Sequence, residues 1–258
     1  MSDSVSFDRA VEYYDRTRGL SEEASREMTT VLVEELQGRG RCLEVGVGTG
    51  LVALPLAAAG LPMVGLDISA PMLGKLVEKA GGRRPFPLVQ GDATTLPFAD
   101  DTVGSALVRH LLHLIPAWER ALAELVRVVG SGGTVLIATG DIPAAWREVT
   151  ERFVTLVGRP SFARGLDVRQ LVRLDEAFAE HGGAPRDLPA IPDRVEQSLG
   201  TFLDQMGDGL HSWTWDIPEE RRRAAAEQAR AWALERFGTL DPSDARDVAI
   251  EWRAYDLP

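Results

Sequence analysis

The stretch CLEVGVGTG at residues 42–50 places Gly46, Gly48 and Gly50 at alternate positions directly behind an apolar run. Without Cβ atoms these positions allow a tight strand-to-helix turn, close approach of a ligand to the backbone, and close packing of the next helix. A turn of that kind belongs at the carboxyl end of a strand in an α/β sheet, and the flanking pattern agrees. Strand-like runs at about 41–46, 63–67, 86–90, 103–109 and 134–139 alternate with helix-period segments, as in a parallel sheet covered on both faces.

Local signals mark the helices between these runs. A leading helix starts near Ser21 and repeats Ala24, Met28, Val31, Leu32 and Leu36; Ser69 caps a helix that carries Pro71 in its first turn and stops at Gly81 and Gly82. Leu122, Leu125, Val126 and Val129 recur at helical spacing against the sheet. After Gly140 the alternation lapses. Helices are expected at about 143–157 and from about 167 to Gly182, then a strand in APRDLPAI and a last one in ARDVAIEWRAYDL. Between those strands Val195, Leu199, Phe202 and Leu203 form one helical stripe, and Pro218 opens a long helix ending at Gly238. If the two strands pair antiparallel, the block at 193–240 is a helical insertion at one end of the sheet.

With 258 residues, 45% of them hydrophobic, the chain can bury a full core, and a single α/β domain over 1–258 with an insertion is expected. The 28 basic against 39 acidic residues, net charge −11, disfavour nucleic acid and anionic membranes as partners. A single cysteine, Cys42, excludes an intramolecular disulfide framework and argues against a metal site, and it fits a reducing cytoplasm. The opening residues lack a signal-peptide pattern, and the longest uncharged run, 51–66, is broken by Pro55, Gly60 and Pro62, so no membrane span is expected.

The glycines alone leave the ligand open. GTGLVA also matches the GxGxxA form of the dinucleotide fingerprint, with Asp67 near the spacing of about 20 residues expected for a ribose-binding acid. Two features bear on the choice. Glu44, inside the strand, needs a charged or hydrogen-bonding partner to offset desolvation, and there it would repel a pyrophosphate but welcome an ammonium or sulfonium. In QGDATTLPF, Asp92 beside the Ala93 N–H offers an acceptor and a donor that match an adenine edge.

LEVGVGTG, GLDIS, GDATTLPFADDTV, HLLHLIPAW and ALAELVRVVGSGGTVLIA together resemble the class I S-adenosylmethionine-dependent methyltransferases of the type 11 group, relatives of the quinone-biosynthesis methyltransferases. The resemblance implies a Rossmann-like seven-stranded sheet of order 3-2-1-4-5-7-6 with its last strand antiparallel, a cofactor-binding core over 40–140, and N-terminal cap helices over 1–36. It also implies S-adenosylmethionine as cofactor, with Gly46, Gly48 and Gly50 under its amino-acid and ribose part. Glu44 would face its amino group, Asp67 its ribose hydroxyls, Ile68 and Met72 its adenine ring, and Asp92 and Ala93 the adenine edge. Arg109, and Tyr14 and Arg18 from a leading segment that covers the cofactor in such relatives, join this set.

Acceptor candidates come from segments at the carboxyl ends of the strands. His110 and His113 follow the fourth strand and Asp141 follows the fifth; each is a candidate base, and each has an ordinary structural use, as hydrogen-bonder or helix cap. The inserted block carries His211, Trp213 and Trp215, which either line an acceptor pocket or fasten the insertion to the core. The expected activity is methyl transfer to a small-molecule acceptor. An NAD(P)-dependent oxidoreductase and a non-catalytic adenosyl-ligand-binding protein are the alternatives.

Overall fold

The computed structural model describes residues 6–140, 143–159, 161–167, 170–195, 197–240 and 246–258. Strands β1 (Cys42–Val45), β2 (Met63–Asp67), β3 (Leu88–Gln90), β4 (Ser105–Val108), β5 (Thr134–Ala138), β6 (Ala184–Asp187) and β9 (Trp252–Asp256) form one seven-stranded sheet of order β3-β2-β1-β4-β5-β9-β6. Counted within the sheet, this is the expected 3-2-1-4-5-7-6, and β9 runs antiparallel to both neighbours. β7 (Ile191–Val195) and β8 (Arg246–Ile250) form a separate two-stranded sheet.

β1 and β4 are buried at every position, as strands covered on both faces must be, and apart from Glu44 and Ser105 their residues are apolar. Helix α2 (Glu22–Leu36) starts where the Ser21 hydroxyl accepts from the Ala24 N–H at 3.1 Å, and it buries Ala24, Met28, Leu32 and Leu36. α3 (Ala53–Ala58) follows the glycine turn, and α4 (Ala70–Lys79) is capped by Ser69, whose hydroxyl accepts from the Met72 N–H at 3.2 Å. α5 (Trp118–Val129) buries Trp118, Ala121, Leu122, Leu125, Val128 and Val129; Val126, expected on that stripe, is only partly buried.

The chain divides into two compact units, one of 1–140, 165–191 and 249–258, the other of 141–164 and 192–248. The sheet belongs to the first, with α7 (Leu171–Ala179) laying Phe178 on Tyr255 of β9, ring centroids 3.8 Å apart. Arg186 of β6 ties the antiparallel edge together, donating through Nη1 to Glu35 Oε2 at 2.8 Å and through Nε to Asp256 Oδ2 at 2.7 Å.

The second unit packs α6 (Ala144–Leu156), α8 (Leu199–Asp208) and α9 (Glu219–Phe237) around Trp146, Phe153, Phe202, Leu203 and Met206. α9 presents Ala225, Ala226, Ala229 and Ala233, small side chains that let helices approach closely. Buried Arg222 donates to the Gly207 carbonyl at the end of α8 at 3.2 Å and to the Ile217 carbonyl, just before α9, at 2.6 Å.

Three expectations change in detail. Val195 is the last residue of β7 and not the start of a helical stripe, which begins at Leu199 under the Ser198 cap. ARDVAIEWRAYDL is two strands broken at Glu251. The helix expected from about 167 spans Leu171–Ala179.

Candidate functional site

Parallel register brings the site together. Val45 of β1 lies beside Leu66 of β2 and Val108 of β4, so the turns beginning at Gly46, Ile68 and Arg109 emerge side by side at the carboxyl edge. Gly46, Gly48 and Gly50 have φ of 78°, 53° and 80°, the left-handed region that disfavours side chains. Their roles differ. A Cβ on Gly48 would stand 3.3 Å from Met72 Cε, over the floor of a cleft, whereas one on Gly50 would meet Leu54 at 2.8 Å and Leu76 at 3.0 Å. Gly50 therefore serves helix packing, and Gly48 keeps the cleft floor bare.

The cleft, of about 610 Å³, is lined by Tyr14, Gly46, Gly48, Asp67, Ile68, Met72, Asp92, Ala93, Arg109 and His110, ten of the residues singled out from the sequence. Phe7, Val45, Leu66, Gly91, Leu111, Leu114 and Ile115 complete its wall. A smaller adjoining cavity, about 250 Å³, adds Glu44 with Val47, Leu51 and Val52. Leu111, Leu114 and Ile115 stand among the histidines of HLLHLIP and were legible as apolar residues at a strand end; Phe7 carries no periodic signal.

Asp67 uses both carboxylate oxygens to hold the turn. Oδ2 accepts from the Gly48 N–H and Oδ1 from the Ser69 N–H, each at 2.8 Å. Burial raises its pKa, opposed by these two donors, and the remaining lone pairs are available to a ligand's hydroxyls. Asp92 Oδ1 accepts from the Thr94 N–H and hydroxyl, both at 2.9 Å, so the turn-forming use and the cleft-lining position coexist in one residue.

Glu44 is the most informative carboxylate. It is 3% exposed, the Ala53 N–H bonds to it, and its Oε2 is buried without a hydrogen-bond partner. Burial pushes its pKa up to about 8 against the opposing charge of Arg109. An orphaned carboxylate oxygen costs desolvation free energy that a ligand ammonium would recover, so the residues present fit the amino-acid end of S-adenosylmethionine.

The N-terminal segment lies against this edge. Asp8 Oδ1 accepts from the Ser69 hydroxyl at 2.6 Å; Asp15, in the short helix α1 (Tyr14–Arg18), accepts from the Thr49 hydroxyl and pairs with Lys79 at 2.6 Å. Phe7 meets the Tyr14 ring edge-on at 5.7 Å. Arg18 lines neither cavity and donates to the Thr17 carbonyl at 2.9 Å. These aspartate anchors escaped sequence reading.

His110 lines both cavities with a φ of 54°. It is solvent-accessible yet set in a concave wall, and desolvation, followed by the charges of Arg109, Arg18 and His113, holds its imidazole well below the usual histidine range. His113, at about 4, is depressed chiefly by burial and then by Arg18; it lines neither cavity, and its carbonyl accepts from the Gly165 N–H at 3.0 Å. Asp141 lies outside the described residues.

His211, Trp213 and Trp215 fall in the second unit. Trp213 packs edge-on against Phe153 at 5.5 Å, His211 edge-on against Phe202 at 5.2 Å, and Trp215 Nε1 donates to the Gly209 carbonyl at 2.9 Å. Each of these contacts serves the unit's own core. Among the described residues no group of three or more His, Cys, Asp or Glu side chains could hold a metal ion, and no helix is long and apolar enough to cross a membrane.

A family model described as a methyltransferase domain matches residues 43–137. A phosphatidylethanolamine N-methyltransferase of Cereibacter sphaeroides is 39% identical over 127 residues, which span 48% of this chain and 61% of that protein, less than two thirds of its length. A demethylmenaquinone methyltransferase of Streptomyces avermitilis is 35% identical over 196 residues, 74% of this chain and 81% of that protein. Among solved structures, the YcgJ protein of Bacillus subtilis superposes with a TM-score of 0.59 at 19% identity, covering 90% of this chain and 99% of that one, and so shares its fold.

Proposed function

The chain belongs to the class I S-adenosylmethionine-dependent methyltransferases, and from that premise we propose that it transfers the methyl group of S-adenosylmethionine to a small-molecule acceptor. When bound, the cofactor supplies a methyl carbon already activated on a sulfonium, open to in-line displacement. The work left to the protein is binding, orientation and exclusion of water, where proximity alone is worth up to roughly 7–11 kcal/mol.

In this reading Glu44 Oε2 accepts from the ammonium, Asp67 from the ribose hydroxyls, and Asp92 with the Ala93 N–H takes the adenine edge. Ile68 and Met72 pack on the ring, while Gly46 and Gly48 leave the backbone bare beneath the amino-acid and ribose part. Tyr14 and Arg109 flank the amino-acid end, Arg18 contributes its charge from outside the two cavities, and His110, His113 and Asp141 belong to the acceptor side. The segment 193–240, with His211, Trp213 and Trp215, selects the acceptor within one functional domain. A cytoplasmic location belongs to the same proposal, supported by the single buried cysteine.

The observation that carries this reading is the orphaned Oε2 of Glu44 beside the glycine turn. A dinucleotide pyrophosphate would gain nothing from a buried carboxylate and would be repelled once it ionised. Calorimetric titration tests the point: S-adenosylmethionine and S-adenosylhomocysteine should bind, NAD should not, and Glu44→Gln should weaken both adenosyl ligands. Preferential binding of NAD would overturn the proposal.

A further inference from the structure

On α5, Glu124 and Arg127 stand three positions apart on one helix face and grip the loop between β3 and β4. Arg127 Nε donates to Glu124 Oε1 at 2.8 Å. Nη1 donates to the Phe98 carbonyl at 2.8 Å and to Asp100 Oδ1 at 2.7 Å, and Nη2 to the Leu96 carbonyl at 3.1 Å and to Glu124 Oε2 at 2.8 Å. A guanidinium carries five N–H donors, and all five are engaged. Glu124 Oε2 in turn accepts from the Leu96 N–H at 2.7 Å, so both backbone groups of Leu96 are held by one ion pair. A partly exposed ion pair stabilises little by itself, but this one is built around backbone groups of a single loop.

That loop begins at the cleft, where Gly91, Asp92 and Ala93 form part of the wall. The Gly91 N–H donates to the Asp67 carbonyl at 3.0 Å and fixes one end of the segment; Leu96 fixes the other. Between them the Asp92 turn takes the Thr94 N–H at 2.9 Å and the Thr95 N–H at 3.0 Å. Along 93–96 the amides of Thr94, Thr95 and Leu96 are therefore engaged, and no acceptor among the described residues takes that of Ala93. The one amide left over belongs to the residue that lines the cleft. Hydrogen bonds weaken steeply with misalignment, so what this amide contributes to a ligand depends on how firmly the segment around it is held.

We propose that Glu124 and Arg127 are positioning residues for base selection: by fixing Leu96 they aim the Asp92 carboxylate and the Ala93 N–H so that the site accepts adenine and rejects a purine with oxygen in place of the 6-amino group. The inference rests on the cofactor reading above. Adenine presents a donor at N6 beside an acceptor at N1, whereas hypoxanthine presents an acceptor at O6 beside a donor at N1. Against hypoxanthine the carboxylate meets an acceptor and the amide meets a donor, and both are left unpaired. Neither Glu124 nor Arg127 lines the cleft, so both act through the loop backbone.

The test titrates the full chain by calorimetry with S-adenosylhomocysteine, S-inosylhomocysteine and methylthioadenosine, the last lacking the amino-acid end. Wild type should bind the adenosyl ligand at least about thirtyfold tighter than the inosyl one. Arg127→Met, which keeps the stem and removes every donor, and Glu124→Leu should each cut that ratio at least about tenfold. The ratio of S-adenosylhomocysteine to methylthioadenosine, which reads the Glu44 end, should stay within about twofold. Glu124→Gln keeps an acceptor for the Leu96 N–H and should hold the base preference within about threefold. A merely structural role would weaken all three ligands by a common factor and move neither ratio; that result, or a wild type that binds both bases alike, would overturn the inference. Amide exchange in the wild type gives a reading that needs no variant. Without ligand, Leu96 should exchange at least about tenfold more slowly than Ala93 after correction for intrinsic rates, and S-adenosylhomocysteine should slow Ala93. Equal rates at the two amides, or an Ala93 rate indifferent to the ligand, would count against it equally. Absence of S-adenosylhomocysteine binding in the wild type is a different result: it overturns the cofactor reading, and the inference falls with it.

Discussion

At the scale of single residues, two carboxylates make separable predictions. Asp67→Ala removes an acceptor that already holds the glycine turn through the Gly48 N–H. It should weaken S-adenosylmethionine by about 1.5–3 kcal/mol, the range for a hydrogen bond to a charged group, and unchanged affinity in a folded variant would refute the ribose assignment. Glu44 makes a pH prediction. Its pKa of about 8 leaves it protonated below that pH in the free protein, and an ammonium requires the carboxylate. Binding therefore releases a proton, and affinity should climb from pH 6 toward 8, since ionising the group at pH 7 costs about 1.4 kcal/mol. Titrations in buffers of different ionisation enthalpy count that proton; Glu44→Gln should abolish both the release and the slope. Folding stability carries the opposite sign. Because the folded state holds this proton between the unfolded pKa and about 8, Glu44 lowers stability as pH rises through that window.

Elements show how the same residue type serves different ends. Gly48→Val should abolish cofactor binding while leaving the sheet intact, because its Cβ enters the cleft toward Met72. Both substitutions strain a left-handed turn, and Gly50→Val should lower the melting temperature further, because its Cβ also enters the contact with Leu54 and Leu76. Equal behaviour of the two variants would contradict the division of roles. The N-terminal segment is held by Asp8 on Ser69 and by Asp15 on Thr49 and Lys79, across the edge where a ligand enters. Asp15→Ala should speed S-adenosylhomocysteine dissociation severalfold in stopped-flow measurements and raise hydrogen exchange over residues 8–18. Rates equal to wild type would leave that segment without a role in retention.

For the whole molecule, the division into two units matters most. The cofactor candidates all lie in the unit that carries the seven-stranded sheet, and the second unit has its own core of Trp146, Phe153, Phe202 and Trp213. Hydrogen exchange should separate them. S-adenosylhomocysteine alone should protect residues around 44–50, 67–72 and 91–93 and leave α8 and α9 unchanged, whereas addition of a true acceptor should also slow exchange over 205–216. Exchange over 205–216 indifferent to every acceptor would sink the role in acceptor selection proposed for that segment.

The sequence by itself determined the sheet and the cofactor edge. Strand burial, Ser21 and Ser69 caps, the helix stops and the glycine turn are local properties, set by periodicity and by backbone conformations that few residues tolerate. Glu44, Gly48, Asp67 and Asp92 were legible because each lies at or just beyond the carboxyl end of a strand whose place in a parallel sheet is dictated by that alternation. Only the tertiary structure decided the rest. The anchors of Asp8 on Ser69 and Asp15 on Thr49 join residues 61 and 34 positions apart and leave no periodic trace. The break at Glu251, the strained φ of His110, and the enclosure of Trp213 within the second unit's own core are equally non-local. Each depends on which surface the chain meets after it has folded, and side-chain chemistry read along the chain cannot specify that.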